Sequence, residues 1–287
     1  MSSFGDHAFA ALQYALPKHL LSRIVYNLTR TENVAWRDRA LRLFLRNFQV
    51  NMDEAVEPNP YAYPSFNAFF TRALKPGARV ISPDADAFVS PVDGTVSQCG
   101  IINEDSILQA KGRDYSLNEL LGGNCERAKK YLGGSFATIY LAPYNYHRIH
   151  MPFAGVVRET IYVPGDLFSV NAATARTVPR LFARNERLVC DFDGQRGCFS
   201  MSFIGALHVG SIEAVWCGEV NPPPRLKKQP VAITAGQGLA LTKGAEAGRF
   251  NMGSTVIIVT APGRVQWSEA LVPGAIVQLG QKIGTAR

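Results

Sequence analysis

Long apolar runs are missing from this sequence. No stretch approaches the roughly 18–20 apolar residues of a membrane-spanning helix, so the chain is not expected to cross a bilayer. Its start lacks the basic, apolar and cleavage-site succession of a secretory signal, and none is expected. Cysteine is sparse: Cys99, Cys125, Cys190, Cys198 and Cys217 are odd in number and form no CxxC pair. That excludes a disulfide framework and a zinc knuckle, and it fits a reducing compartment. A GxGxxG loop and strict βαβ alternation are also absent, which argues against a dinucleotide fold. There is no fixed-period repeat.

What is present begins with charge. The 287 residues carry a net +7 with a pI near 9.2, a balance that favours an anionic partner such as nucleic acid, a phospholipid surface or an acidic substrate. Over residues 1–50 there are seven Lys/Arg against three Asp/Glu, so four of the seven net charges lie there. In the same segment Phe9, Leu12, Leu16, Leu20, Leu21, Ile24, Val25 and Leu28 recur at helical spacing. Pro17 divides them into two helices. Thr31 is the expected cap of a third, carrying Trp36, Ala40, Phe44 and Phe48 among arginines. Basic amphipathic helices of this kind suit either an interfacial anchor or a helical pair closed on its own core.

A proline-rich linker, "EPNPYAYPS", and a short Phe-rich helix in "SFNAFFTRALKPGAR" follow. Beyond residue 80 the pattern changes to short β-prone runs separated by Gly, Pro and Asp, among them "FATIYLAP", "GVVRETIYV", "RLVCDF", "GCFSMSFIGAL" and "TVIIVTAP". The expected fold is α+β: an N-terminal helical region, residues 1–75, packed on a mainly antiparallel β body, residues 76–287. Pro-containing turns before short strands in "SPVDGTVSQCG" and "VPGAIVQLGQKIG" give that body a hybrid lipoyl-like barrel character.

Three places carry chemically useful side chains. Asp93 sits at the turn in "SPVDGTV". His147 and His150 stand together in "APYNYHRIHMP", two of only five histidines; a helix would put both on one face, an extended strand on opposite faces. Gly253-Ser254 heads the β-branched run Thr255-Val256-Ile257-Ile258-Val259. A base that takes the serine proton, with a carboxylate fixing the base's tautomer, makes a nucleophile. This serine lacks the GxSxG elbow of a hydrolase, and its nearest carbonyl is that of Gly253. Attack there would move the acyl group from nitrogen to oxygen. Elimination and hydrolysis would then leave a pyruvoyl group, with glycine permitting the strain and the strand holding Ser254.

"GRFNMGSTVIIVTAPG" resembles the self-processing site of phosphatidylserine decarboxylase proenzymes, whose hallmark is Gly-Ser-Thr near the C-terminus. "SFNAFFTRALKPGAR", "SPVDGTV", "LAPYNYHRIHMPFAG", "YVPGDLFSVN", "LFARNERLV" and "VGSIEAVWCGEV" resemble segments of the same family in the same order. The likeness covers residues 60 to 285 and, more loosely, the N-terminal helices; it is closest to the bacterial membrane-associated branch. Met252 stands where the family more commonly has Leu, a volume-conserving swap.

The resemblance implies a lyase of phospholipid biosynthesis that converts phosphatidylserine to phosphatidylethanolamine and carbon dioxide. Its cofactor would be a covalent pyruvoyl group made from Ser254, with no metal. Asp93 and His150 match the pair that activates the serine, and His147 matches the histidine near the substrate. Cleavage between 253 and 254 would give chains 1–253 and 254–287, a heterodimer with a homo-oligomer of that pair as a further option. The partner would be anionic phospholipid at the cytoplasmic face of the cell membrane, peripherally bound, and not nucleic acid. Two other readings stand beside it. A lysostaphin-like zinc peptidase also uses Asp and His, but as a class places His-x-His and a His before the Asp; here no histidine lies between residues 19 and 147. A biotinyl- or lipoyl-like carrier needs a lysine at a hairpin tip, and none lies between Lys243 and Lys282.

Overall fold

The computed structural model describes residues 3–110, 112–208, 210–223, 226–227, 229–252 and 254–287. Helices α1 (Phe4–Ala15), α2 (Lys18–Arg30), α3 (Val34–Asn47) and α4 (Phe66–Phe70) precede the strands. Ser3 caps α1 with a full capping box, its hydroxyl accepting from the Asp6 N–H while Asp6 accepts from the Ser3 N–H. Pro17 falls between α1 and α2, where its ring fits a helix start. The cap of α3 differs from expectation. Asn33, not Thr31, accepts the Trp36 N–H at 3.0 Å, and Thr31 instead closes α2. Only Asn33 stands at the offset from which a side chain reaches that N–H.

The orientation of α2 is unusual for a soluble helix. Its inward stripe is polar: Lys18, Ser22, Tyr26 and Arg30 recur every four residues. Lys18 meets Asp166 at 3.5 Å, and Tyr26 and Arg30 both meet Glu219. Its outward stripe is apolar, with Leu20 56%, Ile24 46% and Leu28 39% exposed. Helix α1 repeats the arrangement, burying Gln13, which accepts the Ser169 N–H, while Phe4 and Leu12 face out. The first two helices therefore do not close on a core of their own. α3 and α4 do build one, where Leu41 and Phe44 meet Phe66, Phe69 and Phe70. No helix among the described residues is long and apolar enough to cross a membrane.

The main sheet runs Val231–Ile233, Gly155–Val163, Arg187–Gly194, Gly197–Ile204, Ser254–Thr260, Ser135–Leu141, Gly94–Ile101 and Ile276–Val277, with Ala240–Leu241 also on Gly155–Val163. Every pairing in it is antiparallel. A four-stranded sheet joins Gly218–Val220, Ile212–Ala214, Glu246–Phe250 and Arg148–His150. The fold is thus α+β with mostly antiparallel sheets. The expected lipoyl-like barrel character is not confirmed, because no sheet among the described strands closes on itself.

Ser254–Thr260 lies between Ser135–Leu141 and Gly197–Ile204 and is buried on both faces. Val256 and Ile258 enter one hydrophobic cluster; Ile257 and Val259 enter the other. A strand so placed needs apolar residues at every position, which is why it reads as an unbroken β-branched run. The register also aligns the ends. Ser254 pairs with Leu141, and Thr95 pairs with Tyr140, which pairs with Thr255. The turn at Asp93 and the head of the central strand therefore lie at one end of the sheet, two strand spacings or roughly 10 Å apart.

Gly94 makes that alignment possible. A Cβ there would meet the Tyr140 carbonyl oxygen at 2.5 Å and Ile139 Cγ2 at 2.8 Å. We expect Gly94→Ala to cost about 1–3 kcal/mol, as overpacking does, and to lower Tm by several degrees. Thermal unfolding of the two chains checks this, and an unchanged Tm would mean the strands can part without cost.

Candidate active site

Ser254 is fully buried at the first position of the central strand, and its Oγ has no hydrogen-bond partner among the described residues. Strand alternation puts its side chain on the face of Val256 and Ile258, the side that also holds Val92, Leu141, Ile149 and Met151. An unpaired buried hydroxyl is costly, but Ser254 shares this condition with Ser22, Thr138, Ser202 and its neighbour Thr255, so its place at the strand head is what distinguishes it. Gly253, the other half of the expected cleavage site, lies outside the described residues.

The two histidines reach this end of the sheet by backbone pairing. Arg148–His150 is a strand, so the histidines do not share a helical face. The Phe250 N–H donates to the His147 carbonyl at 3.0 Å, and the His150 N–H donates to the Pro91 carbonyl at 2.9 Å. The segment is thereby tied both to the strand leading into Ser254 and to the turn carrying Asp93.

Their side chains are held in the same tautomer by backbone oxygens. His150 Nδ1–H donates to the Gly244 carbonyl at 2.8 Å, leaving Nε2 to accept from the Tyr146 hydroxyl at 3.1 Å. Burial pushes Tyr146 up to about 12, so it remains a donor at neutral pH. His147 Nδ1–H donates to the Asn145 carbonyl at 2.8 Å, and its ring lies 4.1 Å from that of Phe70. Its Nε2 is buried with no partner among the described residues. Burial lowers the pKa of both rings, His147 to about 3. Both are neutral at pH 7, each with a basic Nε2.

Asp93 is buried and clamped. Its Oδ1 accepts from Arg79 Nε and from the Leu279 N–H, both at 2.9 Å, and its Oδ2 accepts from Arg79 Nη2 at 2.6 Å. Arg79 also reaches Glu54 at 2.8 Å, and the two carboxylates raise its pKa. Asp93 makes no hydrogen bond to either histidine. Its charge acts on His150 through space, favouring protonation, but burial outweighs it. The tautomer of His150, expected to be a carboxylate's work, is set by the Gly244 carbonyl.

Arg79, Tyr146 and Gly244 are the site residues that sequence reasoning did not single out. Arg79 lies in "ALKPGAR" and Tyr146 beside His147, within segments already marked, but no spacing rule separates a clamping arginine from a solvated one. Among the described residues no group of three or more His, Cys, Asp or Glu is arranged to hold a metal ion, so the zinc-peptidase reading has no ligand set there.

The groups gathered here are a buried serine hydroxyl, two neutral imidazoles and a fixed carboxylate. Comparison with known proteins points the same way. The profile of the phosphatidylserine decarboxylase family matches residues 66–285, and a second, described as PSD, matches residues 8–49. The chain is 50% identical to a phosphatidylserine decarboxylase proenzyme of Alkalilimnicola ehrlichii over 91% of its own length and 92% of the relative's. It is 48% identical to the proenzyme of Ectopseudomonas mendocina over 97% and 98% of the two chains. Against that of Pseudomonas aeruginosa it is 49% identical over 97% of each.

The depressed histidines carry a pH signature. In the unfolded chain each binds its proton near 6.5, whereas in the fold it resists protonation. Stability from this source is complete above about pH 6.5 and is lost as pH falls below it. Urea unfolding of Ser254→Ala from pH 6.5 to 5 should weaken by up to about 1.4 kcal/mol per pH unit for each proton. Adding His147→Gln should flatten that slope. A slope identical with and without His147 would show that it titrates normally.

Proposed function

The chain belongs to the phosphatidylserine decarboxylase family, and on that premise we propose that it is a self-processing, pyruvoyl-dependent enzyme converting phosphatidylserine to phosphatidylethanolamine and carbon dioxide. The observation that supports the processing step is the placement of buried Ser254 at the head of the central strand, at the end of the sheet where the Asp93 turn and the histidine segment also lie. A base takes its proton, and Oγ attacks the Gly253 carbonyl carbon. The bond to the Ser254 nitrogen breaks and an ester forms. Loss of the Cα proton together with the Cβ–O bond then frees the Gly253 carboxylate and leaves dehydroalanine. Hydrolysis releases ammonia and leaves the pyruvoyl group at the start of chain 254–287.

His150 is assigned as the base. With Nδ1–H committed to Gly244, Nε2 is the atom that would take the Ser254 proton, and the Tyr146 hydroxyl now on it must give way. Asp93 favours the charged imidazole that results. The burial of Ser254 and the rigidity of its strand fit a group that must be kept from water and held still. Formed there, the pyruvoyl group supplies the electron sink that decarboxylation of the serine headgroup requires. We assign His147 to this second stage, as the group that delivers a proton to Cα once carbon dioxide has left; a buried imidazole of so low a pKa gives up a proton readily.

We read residues 1–75 as the membrane-associating region and 76–287 as the catalytic one. The apolar stripes of α1 and α2 face away from the body while their polar stripes are used against it. Such a patch on a basic segment suits insertion among anionic lipids. This supports peripheral attachment at the cytoplasmic face of the cell membrane, with the two cut chains remaining together as a heterodimer.

Two experiments test the assignments. The purified chain should split into fragments of 253 and 34 residues, the smaller beginning with pyruvoyl, and Ser254→Ala should stay whole. His150→Ala and Asp93→Asn should slow cleavage, roughly 10²–10⁴-fold for the base. His147→Ala should cleave yet lose most carbon dioxide release from labelled lipid. Normal processing by His150→Ala, or near wild-type turnover by His147→Ala, would sink the division. The second experiment is sedimentation with anionic vesicles. Binding should weaken with salt, whose screening length is about 8 Å at physiological strength, and should fall sharply in a Leu20→Ser, Ile24→Ser, Leu28→Ser chain of unchanged Tm. Full binding by that chain would move the anchor elsewhere.

A further inference from the structure

Asn251 and Met252, the two residues before Gly253, are held by contacts from outside the central strand. Asn251, 2% exposed, donates its backbone N–H to the Ser211 carbonyl at 3.1 Å. Its side-chain Nδ2 donates to Ser211 Oγ at 2.7 Å and to Glu219 Oε1 at 3.1 Å, while its Oδ1 accepts from Asn67 of α4 at 3.1 Å. Met252 then packs against the Leu41, Phe66, Phe69 and Phe70 cluster of α3 and α4. Both residues preceding Gly253 are therefore anchored on the helical region, one by polar and one by apolar contact.

The polar anchor continues to α2. Glu219 accepts from Asn251, from the Tyr26 hydroxyl at 2.9 Å and from Arg30 Nη2. Arg30 Nη2 also donates to Ser211 Oγ at 3.2 Å, and its guanidinium lies 3.7 Å from the Tyr26 ring centroid. Arg30 and Glu219 are each about three-quarters buried, so neither charge is freely solvated when the other is removed. Downstream of the scissile bond, Ser254 is fixed by the central strand. Upstream, the equivalent post is Asn251, and its firmness depends on a residue of the last turn of α2.

We propose that Arg30, Glu219 and Asn251 form a positioning network that holds the Gly253–Ser254 peptide for self-processing and makes its rate depend on how α2 is seated on the body. This rests on the self-processing reading above. Attack within a dipeptide needs a strained, narrowly defined geometry, and misplacement by about 1 Å can cost 10²-fold in rate. The residues are positioning groups: none needs to touch the reacting atoms.

The test is a pulse-chase of the full chain, scoring the 34-residue fragment per folded molecule for wild type, Arg30→Ala, Asn251→Ala and the double variant. Each single should slow cleavage at least about tenfold, a barrier change of about 1.4 kcal/mol. The double should be no slower than the slower single, because one network is being cut twice. Arg30→Lys should restore part of the rate. A merely structural role would lower Tm and leave the rate per folded molecule unchanged. Wild-type rates in either single, or a double slowed by the product of the two, would overturn the network. If Arg30→Ala does not fold, Arg30→Lys and Glu219→Gln carry the test, and wild-type rates in both overturn it. A wild-type chain that stays whole removes the self-processing reading and this one with it; a wild-type chain that cuts no faster than its variants removes the network alone.

Discussion

Seven consecutive residues, Ser254 to Thr260, are paired residue for residue with Ser135–Leu141 on one side, and all but Ser254 with Phe199–Ile204 on the other. The rest of the site depends on that double ladder. Because both faces of the strand are covered, it cannot slip by one residue without sending its apolar set to the wrong cluster. Ser254 is thereby fixed in position and in face. The same ladder passes through Tyr140 to Thr95, and so carries the Asp93 turn to the same end of the sheet. The hydroxyl is held in place with nothing among the described residues to bond it.

The electrostatics divide along similar lines. Each histidine commits Nδ1–H to a backbone carbonyl, which leaves two imidazoles of one tautomer that differ in what meets Nε2. That of His150 already holds a hydroxyl, and two carboxylates, Glu246 and Asp93, offset the Arg148 cation and part of the cost of burial there. That of His147 meets no described partner and is flanked by the cation of Arg72, which disfavours a second positive charge. Of the two imidazoles, His150 is the one whose surroundings include anions. Asp93 needs no contact with the base to matter, since Arg79 holds it in place and its charge acts through a low-dielectric interior.

Much of this was legible in the sequence, for identifiable reasons. The central strand could be read because a strand buried on both faces must be apolar throughout, and Ser254 stood out as its only non-conforming head. Asp93, His147 and His150 could be read as candidates because few other residue types do their chemistry. Their joint placement could not, since it depends on pairings between segments distant in the chain, Thr95 with Tyr140, His150 with Pro91 and Ser254 with Leu141. Arg79 and Tyr146 were hidden for another reason: charge and hydroxyl are common on surfaces, and only three-dimensional burial turns them into a clamp and a donor. The cap of α3 was misplaced by two residues because Thr31 and Asn33 are both competent caps, and only the offset to Trp36 decides between them.

Helix α2 marks the boundary of what periodicity can tell. Its spacing defines two stripes, but an amphipathic pattern does not say which stripe faces inward; the usual assumption buries the apolar one. Here the body offers α2 carboxylates, Asp166 and Glu219, in place of an apolar seat, and the helix answers with Lys18, Tyr26 and Arg30. Burying ion pairs while exposing Leu20, Ile24 and Leu28 is a poor arrangement in water alone, because it forgoes apolar burial and desolvates charge. It becomes favourable when the outward stripe has a second apolar phase to enter, as at a bilayer surface. The polar seat then has a further consequence. Hydrogen bonds are directional where apolar contacts are not, so a helix seated through Arg30 and Tyr26 on Glu219 settles in one register, and Asn251, bonded to the same carboxylate, shares that register. The seat of α2 and the chain just before Gly253 are in this way tied to one carboxylate.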